Sequence, residues 1–301
     1  MKNKKNIPAS VRQRLLNRAK RDQRPFNELV QYYAMERFLF RLSQSAHAGN
    51  FILKGALMLR VWRSPEFRST MDIDMLGRTS NEEASIVAQI REIIAVDVEP
   101  DGLTFEPESI QSERITEDAD YKGVRVRFRG RLDSTRVNVQ VDLGFGDIIY
   151  PGPEELDLPT MLDSPVPRLL CYSRESAIAE KFEAMVRHGK LNSRMKDFYD
   201  IWLLSRRFNF DGIRLAEAIR LTFQRRGTAV PLMIEAFEQP FIDSKQVQWS
   251  AFCRRLRQDH VPESFKDVVS VIERFLAPLT TLLLSQDTPK AMTWRASGPW
   301  T

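Results

Sequence analysis

Two aspartates one residue apart, Asp72 and Asp74, stand inside the apolar run from Met71 to Leu76. Residues i and i+2 of a β-strand share a face. The run therefore predicts a strand that turns Ile73 and Met75 into a core and sets two carboxylates side by side. Adjacent carboxylates repel, so either one is protonated or a cation lies between them. A hard divalent ion with oxygen ligands, most simply Mg2+, answers that repulsion. A third carboxylate fits the same picture. From Arg136 to Leu143 the chain alternates: Val137, Val139, Val141 and Leu143 on one face, Arg136, Asn138, Gln140 and Asp142 on the other. Asp142 lies near the end of this predicted strand, and Gly144 and Gly146 beyond it permit close backbone approach.

Two carboxylates on one strand and a third on a neighbour form a set suited to metal-assisted phosphoryl chemistry. Ions held there bridge a triphosphate, activate an attacking hydroxyl and steady the leaving pyrophosphate. Competing chemistries find little support. His47, His188 and His260 are scattered, and Cys171 and Cys253 have no partner motif. A zinc site, a Ser-His-Asp triad and a disulfide framework are thus not supported, and a reducing cytoplasm fits. No stretch is long and apolar enough to span a membrane, and no signal peptide is visible.

Charge is unevenly spread. Residues 1–24 hold nine Lys/Arg and one acid, a net +8; the rest of the chain holds 36 basic and 39 acidic residues, a net −3. The excess includes Lys2, Lys4, Lys5, Arg12, Arg14 and Arg18. Such an arm favours polyanions such as RNA. The same segment has an apolar stripe at Val11, Leu15, Leu16 and Ala19, which argues that it also packs.

The 301 residues suffice for one large or two modest domains. The pattern predicts helices over 9–22 and 27–44, a strand at 51–53, a short helix at 56–62, a strand at 71–76 and a helix over 81–95. Strands follow near 103–117, 123–131 and 136–143. The strand at 123–131 has a basic outer face, Arg125, Arg127 and Arg129, of the kind an ordinary solvated sheet presents. Five prolines between 151 and 167 argue for a linker without regular structure. Helices are then expected over 174–188, 194–206, 212–225, 230–237, 247–258 and 263–284, with a tail from Gln286, extended or mobile, whose Trp294 and Trp300 either dock on the body or a partner or stay in solvent. The expected class is α+β, with domains at 1–160 (N-terminal helices plus catalytic core) and 161–301 (helical).

The motifs Phe-Ile-Leu-Lys-Gly-Ala-Leu (51–57), Asp-Ile-Asp (72–74), Val-Asp-Leu-Gly-Phe-Gly-Asp (141–147), Ala-Glu-Lys-Phe-Glu-Ala-Met (179–185) and Arg-Met-Lys-Asp-Phe-Tyr-Asp-Ile-Trp (194–202) resemble, in that order, the AbiEii/AbiGii-type (MenT-like) toxin nucleotidyltransferases of the polymerase-beta-type nucleotidyltransferase superfamily. The resemblance implies a polymerase-beta-like core, catalytic Asp72, Asp74, Asp142 and Lys181, and two Mg2+ ions on the three aspartates. It also implies an NTP as substrate. Lys54, Gly55, Thr70, Lys181, Asp197 and Asp200 are the expected nucleotide-side residues. The superfamily's usual Gly-Ser turn reads Gly55-Ala56 here, so the turn hydroxyl is missing; Thr70, on the face of Asp72, is the nearest substitute. Asp197 and Asp200 share a helix face and could orient Lys181, contact nucleotide, tie Arg194, or form an internal salt bridge.

Relatives of this kind are toxins of toxin–antitoxin or phage-defence systems that add nucleotides to the 3′ acceptor end of tRNA and block translation. A cognate antitoxin from a neighbouring gene is then expected, as are tRNA contacts from Arg12, Arg14 and Arg18. Two alternatives remain: a small-molecule or protein acceptor, and a degenerate module that only binds nucleotide.

Overall fold

The structure, a computed structural model, describes residues 6–66, 68–116, 122–285 and 291–301. Lys2, Lys4 and Lys5 of the basic arm lie outside them. The fold is α+β. The chain divides into two compact units, one comprising Met1–Gly146 and Glu154–Cys171, the other Asp147–Pro153 and Tyr172–Thr301.

The first unit is built on a seven-stranded mixed sheet. Its strands are β1 (Phe51–Lys54), β2 (Ile73–Gly77), β3 (Leu103–Thr116), β4 (Lys122–Leu132), β5 (Thr135–Phe145), β6 (Glu154–Asp157) and β7 (Arg168–Cys171), in the order β3-β4-β5-β2-β1-β7-β6. The continuous apolar run Phe51, Ile52 and Leu53 is fully buried, as a strand flanked on both edges requires. β1 pairs antiparallel with β2 and parallel with β7, and β2 pairs parallel with β5. β3, β4 and β5 form an antiparallel meander.

Helices α1 (Ile7–Arg21), α2 (Phe26–Gln44) and α4 (Glu83–Ile94) belong to this unit, with the one-turn α3 (Met58–Val61) following the turn after β1. Asn6 caps α1 by accepting from the Ala9 amide, and Pro8 sits in its first turn, where a missing N–H costs nothing. The apolar faces of α2 and the sheet meet in a ring cluster, with Phe38 5.2 Å from Phe128 and Phe128 5.4 Å from Phe105. The sheet's other face keeps the polar residues of β4 and β5.

The second unit holds α5 (Arg174–His188), α6 (Met195–Arg207), α7 (Gly212–Arg225), α8 (Gln239–Leu256) and α9 (Phe265–Leu284), with a short ladder of β8 (Phe210–Asp211) and β9 (Thr293–Trp294). Ser173, Asp211 and Ser264 cap α5, α7 and α9 through their side-chain oxygens. Phe198, Phe241, Trp249 and Phe265 form the aromatic centre.

Three local expectations change. The proline-rich 151–167 segment is not wholly irregular: β6 lies inside it, between Pro153 and Pro159, as an edge strand, where proline is tolerated at the ends. The helix expected at 230–237 is a single 3-10 turn at Glu235–Phe237, and α8 begins eight residues earlier than expected, at Gln239. Pro240 in the first turn starts that helix. Residues 286–290 of the tail lie outside the described residues; of the alternatives open to its tryptophans, docking on the body is the one found. Trp294 is buried, donates to the Ser205 carbonyl at 2.6 Å and packs edge-on against Phe275 at 4.9 Å, while Trp300 stacks on the same ring at 5.7 Å. No helix among the described residues is long and apolar enough to cross a membrane.

Candidate active site

The register of the first unit lines up a row of charges across five elements. Lys54 of β1 faces Asp74 of β2, Asp74 faces Asp142 of β5, Asp142 faces Arg125 of β4, and Arg125 faces Glu113 of β3. Ile73 and Met75 point into the core, which leaves Asp72 and Asp74 on the half-buried polar face. One carboxylate oxygen from each of Asp72, Asp74 and Asp142 lies within 4.8 Å of the others, the one group of three or more His, Cys, Asp or Glu side chains so placed among the described residues. Three hard oxygen donors, Asp74 and Asp142 on adjacent strands and Asp72 in the bend just before β2, fit a divalent ion such as Mg2+.

Gly55 makes this arrangement possible. It adopts a φ of +71°, and a Cβ on it would sit 2.0 Å from Asp74 Oδ2. Only a residue without a side chain lets the Asp74 carboxylate lie against the turn. The next residue, Ala56, is buried. The Thr70 hydroxyl, also buried, donates to Asp72 Oδ1. It thus fixes the carboxylate instead of standing open in the turn.

Asp142 is held by a residue that alternation alone does not single out. Arg125 donates from Nε to Oδ1 at 2.8 Å and from a terminal nitrogen to Oδ2 at 2.7 Å, and Gln140 adds a bond to Oδ2 at 3.3 Å. These bonds take up both acceptor sites of Oδ2 and one of Oδ1, which leaves a lone pair on Oδ1 for a ligand. A signal for it exists in the sequence. β4 and β5 are joined by the two-residue turn Asp133-Ser134, with Leu132 opposite Thr135. Counting outward along the hairpin brings Arg125 opposite Asp142.

The second unit assembles the other motif. Lys181 Nζ lies 3.2 Å from Asp197 Oδ1 and 2.8 Å from Asp200 Oδ2. Arg194 donates to Asp197 Oδ2 at 2.7 Å. Both aspartates are buried. Burial pushes the Asp197 carboxyl up, but Lys181 and Arg194 outweigh it and hold it below the usual carboxylate range. The two aspartates thus orient Lys181 and Asp197 also ties Arg194. Beside them, the fully buried Glu183 accepts from Arg226 at 2.8 Å and from the Thr228 hydroxyl at 2.6 Å. Arg226 also reaches Asp147 at 3.0 Å. Neither Arg226 nor Thr228 stands in a motif, so sequence reading misses both.

The arginines assigned to RNA each have an intramolecular partner. Arg12 donates to the Thr135 hydroxyl at 3.0 Å, Arg14 pairs with Asp163 at 2.9 Å, and Arg18 bonds Asp22 at 3.1 Å and the Met161 carbonyl. Burial pushes the Cys171 thiol up to about 12, which makes it inert as a nucleophile.

A model of nucleotidyl transferase AbiEii toxins, of type IV toxin–antitoxin systems, matches residues 37–271. The chain belongs to the AbiEii toxin nucleotidyltransferase family. This AbiEii chain is accordingly a nucleotidyltransferase with an NTP substrate, and its family implies an antitoxin partner. A crystal structure of a candidate nucleotidyltransferase from H. pylori is similar at 12% identity and a TM-score of 0.49, covering 86% of this chain and 98% of that one. The structure of JHP933 from Helicobacter pylori is similar at 12% identity and a TM-score of 0.48, covering 85% and 96%. No curated protein matches the chain in sequence.

Proposed function

We propose that this AbiEii chain is a Mg2+-dependent toxin that transfers a nucleotide from an NTP to the 3′ acceptor end of tRNA and so blocks translation. The observation that carries the reading is the convergence of carboxylate oxygens of Asp72, Asp74 and Asp142 within 4.8 Å of one another. When bound, divalent ions supply charge neutralisation on the triphosphate and a lowered pKa for the acceptor hydroxyl.

The chain's own groups do the positioning. Asp72, Asp74 and Asp142 provide the oxygen ligands. Thr70 holds Asp72, the bare Gly55 turn admits Asp74, and Arg125 holds Asp142. We assign Lys54, Gly55 and Thr70 to the nucleotide side of the triad. Lys181 is a nucleotide-side cation, with Asp197 and Asp200 as its positioning residues. A fixed cation near a triphosphate offsets charge in the transition state. The family implies the NTP and the antitoxin; the tRNA acceptor rests on the resemblance and on the basic N-terminal segment.

The test is incubation of the purified chain with labelled NTPs, Mg2+ and total tRNA. Label on tRNA 3′ ends that is lost in Asp74→Asn and on chelation supports the reading. Undiminished labelling by Asp74→Asn at the same Mg2+ concentration would remove the triad from the chemistry. Labelling of small molecules or proteins, with tRNA untouched, would replace the acceptor.

A further inference from the structure

The charged row through Asp142 is the first of four parallel rungs on the polar face of β3–β5. Moving along β4 away from the triad, Arg125 faces Asp142, Arg127 faces Gln140, Arg129 faces Asn138, and Arg131 faces Arg136. On the β3 side the partners of the same arginines are Glu113, Gln111, Glu106 and Thr104. The first three of these arginines each have an acidic partner and the fourth has none among the described residues. Arg125 is closed by Asp142, Arg127 pairs with Glu113 at 2.9 Å, and Arg129 pairs with Glu106 at 3.1 Å. Arg131 and Arg136, both exposed, have no acidic partner among the described residues.

Like charges directly opposite on a sheet destabilise it. Nothing in the packing of the first unit requires this pair, because both side chains point away from the core formed by Val137, Val139 and Phe128. Between the triad and the Arg131–Arg136 rung lies a cavity of about 740 Å³ whose lining holds three cations, Arg127, Arg129 and Arg136, one acid, Glu108, and the amides of Gln31 and Asn138. Two residues of strand rise per rung place the last rung roughly 20 Å from the first. At the same end of β5, Arg12 of α1 reaches Thr135.

A ligand that satisfies this face must be an extended polyanion. It needs negative charge at the Arg131–Arg136 end, groups that can compete for Arg127 and Arg129 along the way, and acceptors for the Asn138 amide. We propose that the face is the track for a single-stranded RNA 3′ segment, entering over Arg131 and Arg136 and delivering its terminal hydroxyl at Asp142. This rests on the reading of the triad as a transferase site with an RNA acceptor. It assigns the strand's path to β4 and β5, which neither the motifs nor the family match addresses. A triphosphate is too short to span the four rungs. Duplex RNA would have to bring its paired end to Asp142, with no free strand to thread the cavity.

The experiment is fluorescence anisotropy of the full chain with a short labelled single-stranded oligoribonucleotide ending in CCA, titrated over a range of salt. Arg131→Gln/Arg136→Gln should weaken binding severalfold. It should also flatten the dependence of log K on log salt by about 1.4, at roughly 0.7 per phosphate released from a single strand. Arg254→Gln/Arg255→Gln, on the exposed end of α8 in the other unit, should leave both unchanged. The Tm of Arg131→Gln/Arg136→Gln should hold or rise, since like-charge repulsion is relieved. Wild-type affinity and slope in the Arg131/Arg136 variant would overturn the track, as would an equal loss in the α8 variant. Preference for a duplex of the same sequence would overturn it too. The labelling assay with total tRNA is separate: it can fail while the oligonucleotide result stands, and the reverse.

Discussion

Replacing Gly55 by alanine tests whether the glycine turn exists to admit Asp74. Two costs follow from the geometry. The φ of +71° places an L-residue in the left-handed region, at about 1–2 kcal/mol. The new Cβ would lie 2.0 Å from Asp74 Oδ2, 2.7 Å from its Cγ and 2.8 Å from its Cβ, and relieving such overpacking costs about 1–3 kcal/mol. The central expectation is a loss of about 3 kcal/mol, or roughly 6–12 °C in Tm for a body of this size. The Asp74 carboxylate must also swing away, so Mn2+ affinity, read by electron paramagnetic resonance or calorimetry, should fall by about 10–100-fold. A cycle with Asp74→Gly separates the costs. In that background the crowding atoms are gone and Gly55→Ala should cost only the backbone share, leaving a coupling of about 1–3 kcal/mol. Equal losses in both backgrounds would refute the packing argument. An unchanged Tm and Mn2+ affinity in the single variant would refute the whole account.

Other outcomes follow from the same geometry. Arg125→Lys keeps the charge but loses the two-pronged hold on Asp142. Turnover should drop at least about tenfold while stability moves by no more than about 1 kcal/mol, as read by single-turnover kinetics beside urea denaturation. Asp197, held below its ordinary pKa, contributes stability that is present above its unfolded value near 4. That stability is lost as the pH falls through the lower folded value. Asp197→Asn should flatten the acid limb of a stability–pH profile and cost about 3–5 kcal/mol at neutral pH, because Lys181 and Arg194 lose a buried partner. Trp294→Ala should cost about 3–5 kcal/mol in urea denaturation, since the ring fills the space beside Phe275 and donates to the Ser205 carbonyl.

The elements most legible in the sequence are those whose signal is local. Strict alternation locates β5 and the faces of its side chains, and Ile73 and Met75 around the aspartates announce β2. The apolar stripe of α6 places Asp197 and Asp200 on one side of a helix. Short or edge elements are harder to read. β6 has four residues between prolines, with Leu156 as its one apolar residue, so its own composition does not set it apart from a loop. Only pairing with β7 makes it a strand. The tail beyond 290 lacks periodicity because its order comes from two tryptophans docking on Phe275, a contact with residues far back in the chain.

Period and residue type alone determined which side chains share a face, and hence that Asp72 and Asp74 stand together and that Asp142 lies on a polar strand face. Pairing is a different matter. Which strand lies beside which, and in what register, depends on contacts between residues far apart in the chain. Only the folded sheet decides that Asp74 meets Asp142, whereas the local β4–β5 hairpin sets Arg125 opposite Asp142 and Arg131 opposite Arg136. The same division holds in the helical unit. The spacing of Asp197 and Asp200 is written in the chain, but the packing of α5 against α6 is what lays Lys181 between them and converts two buried carboxylates from a cost into a support.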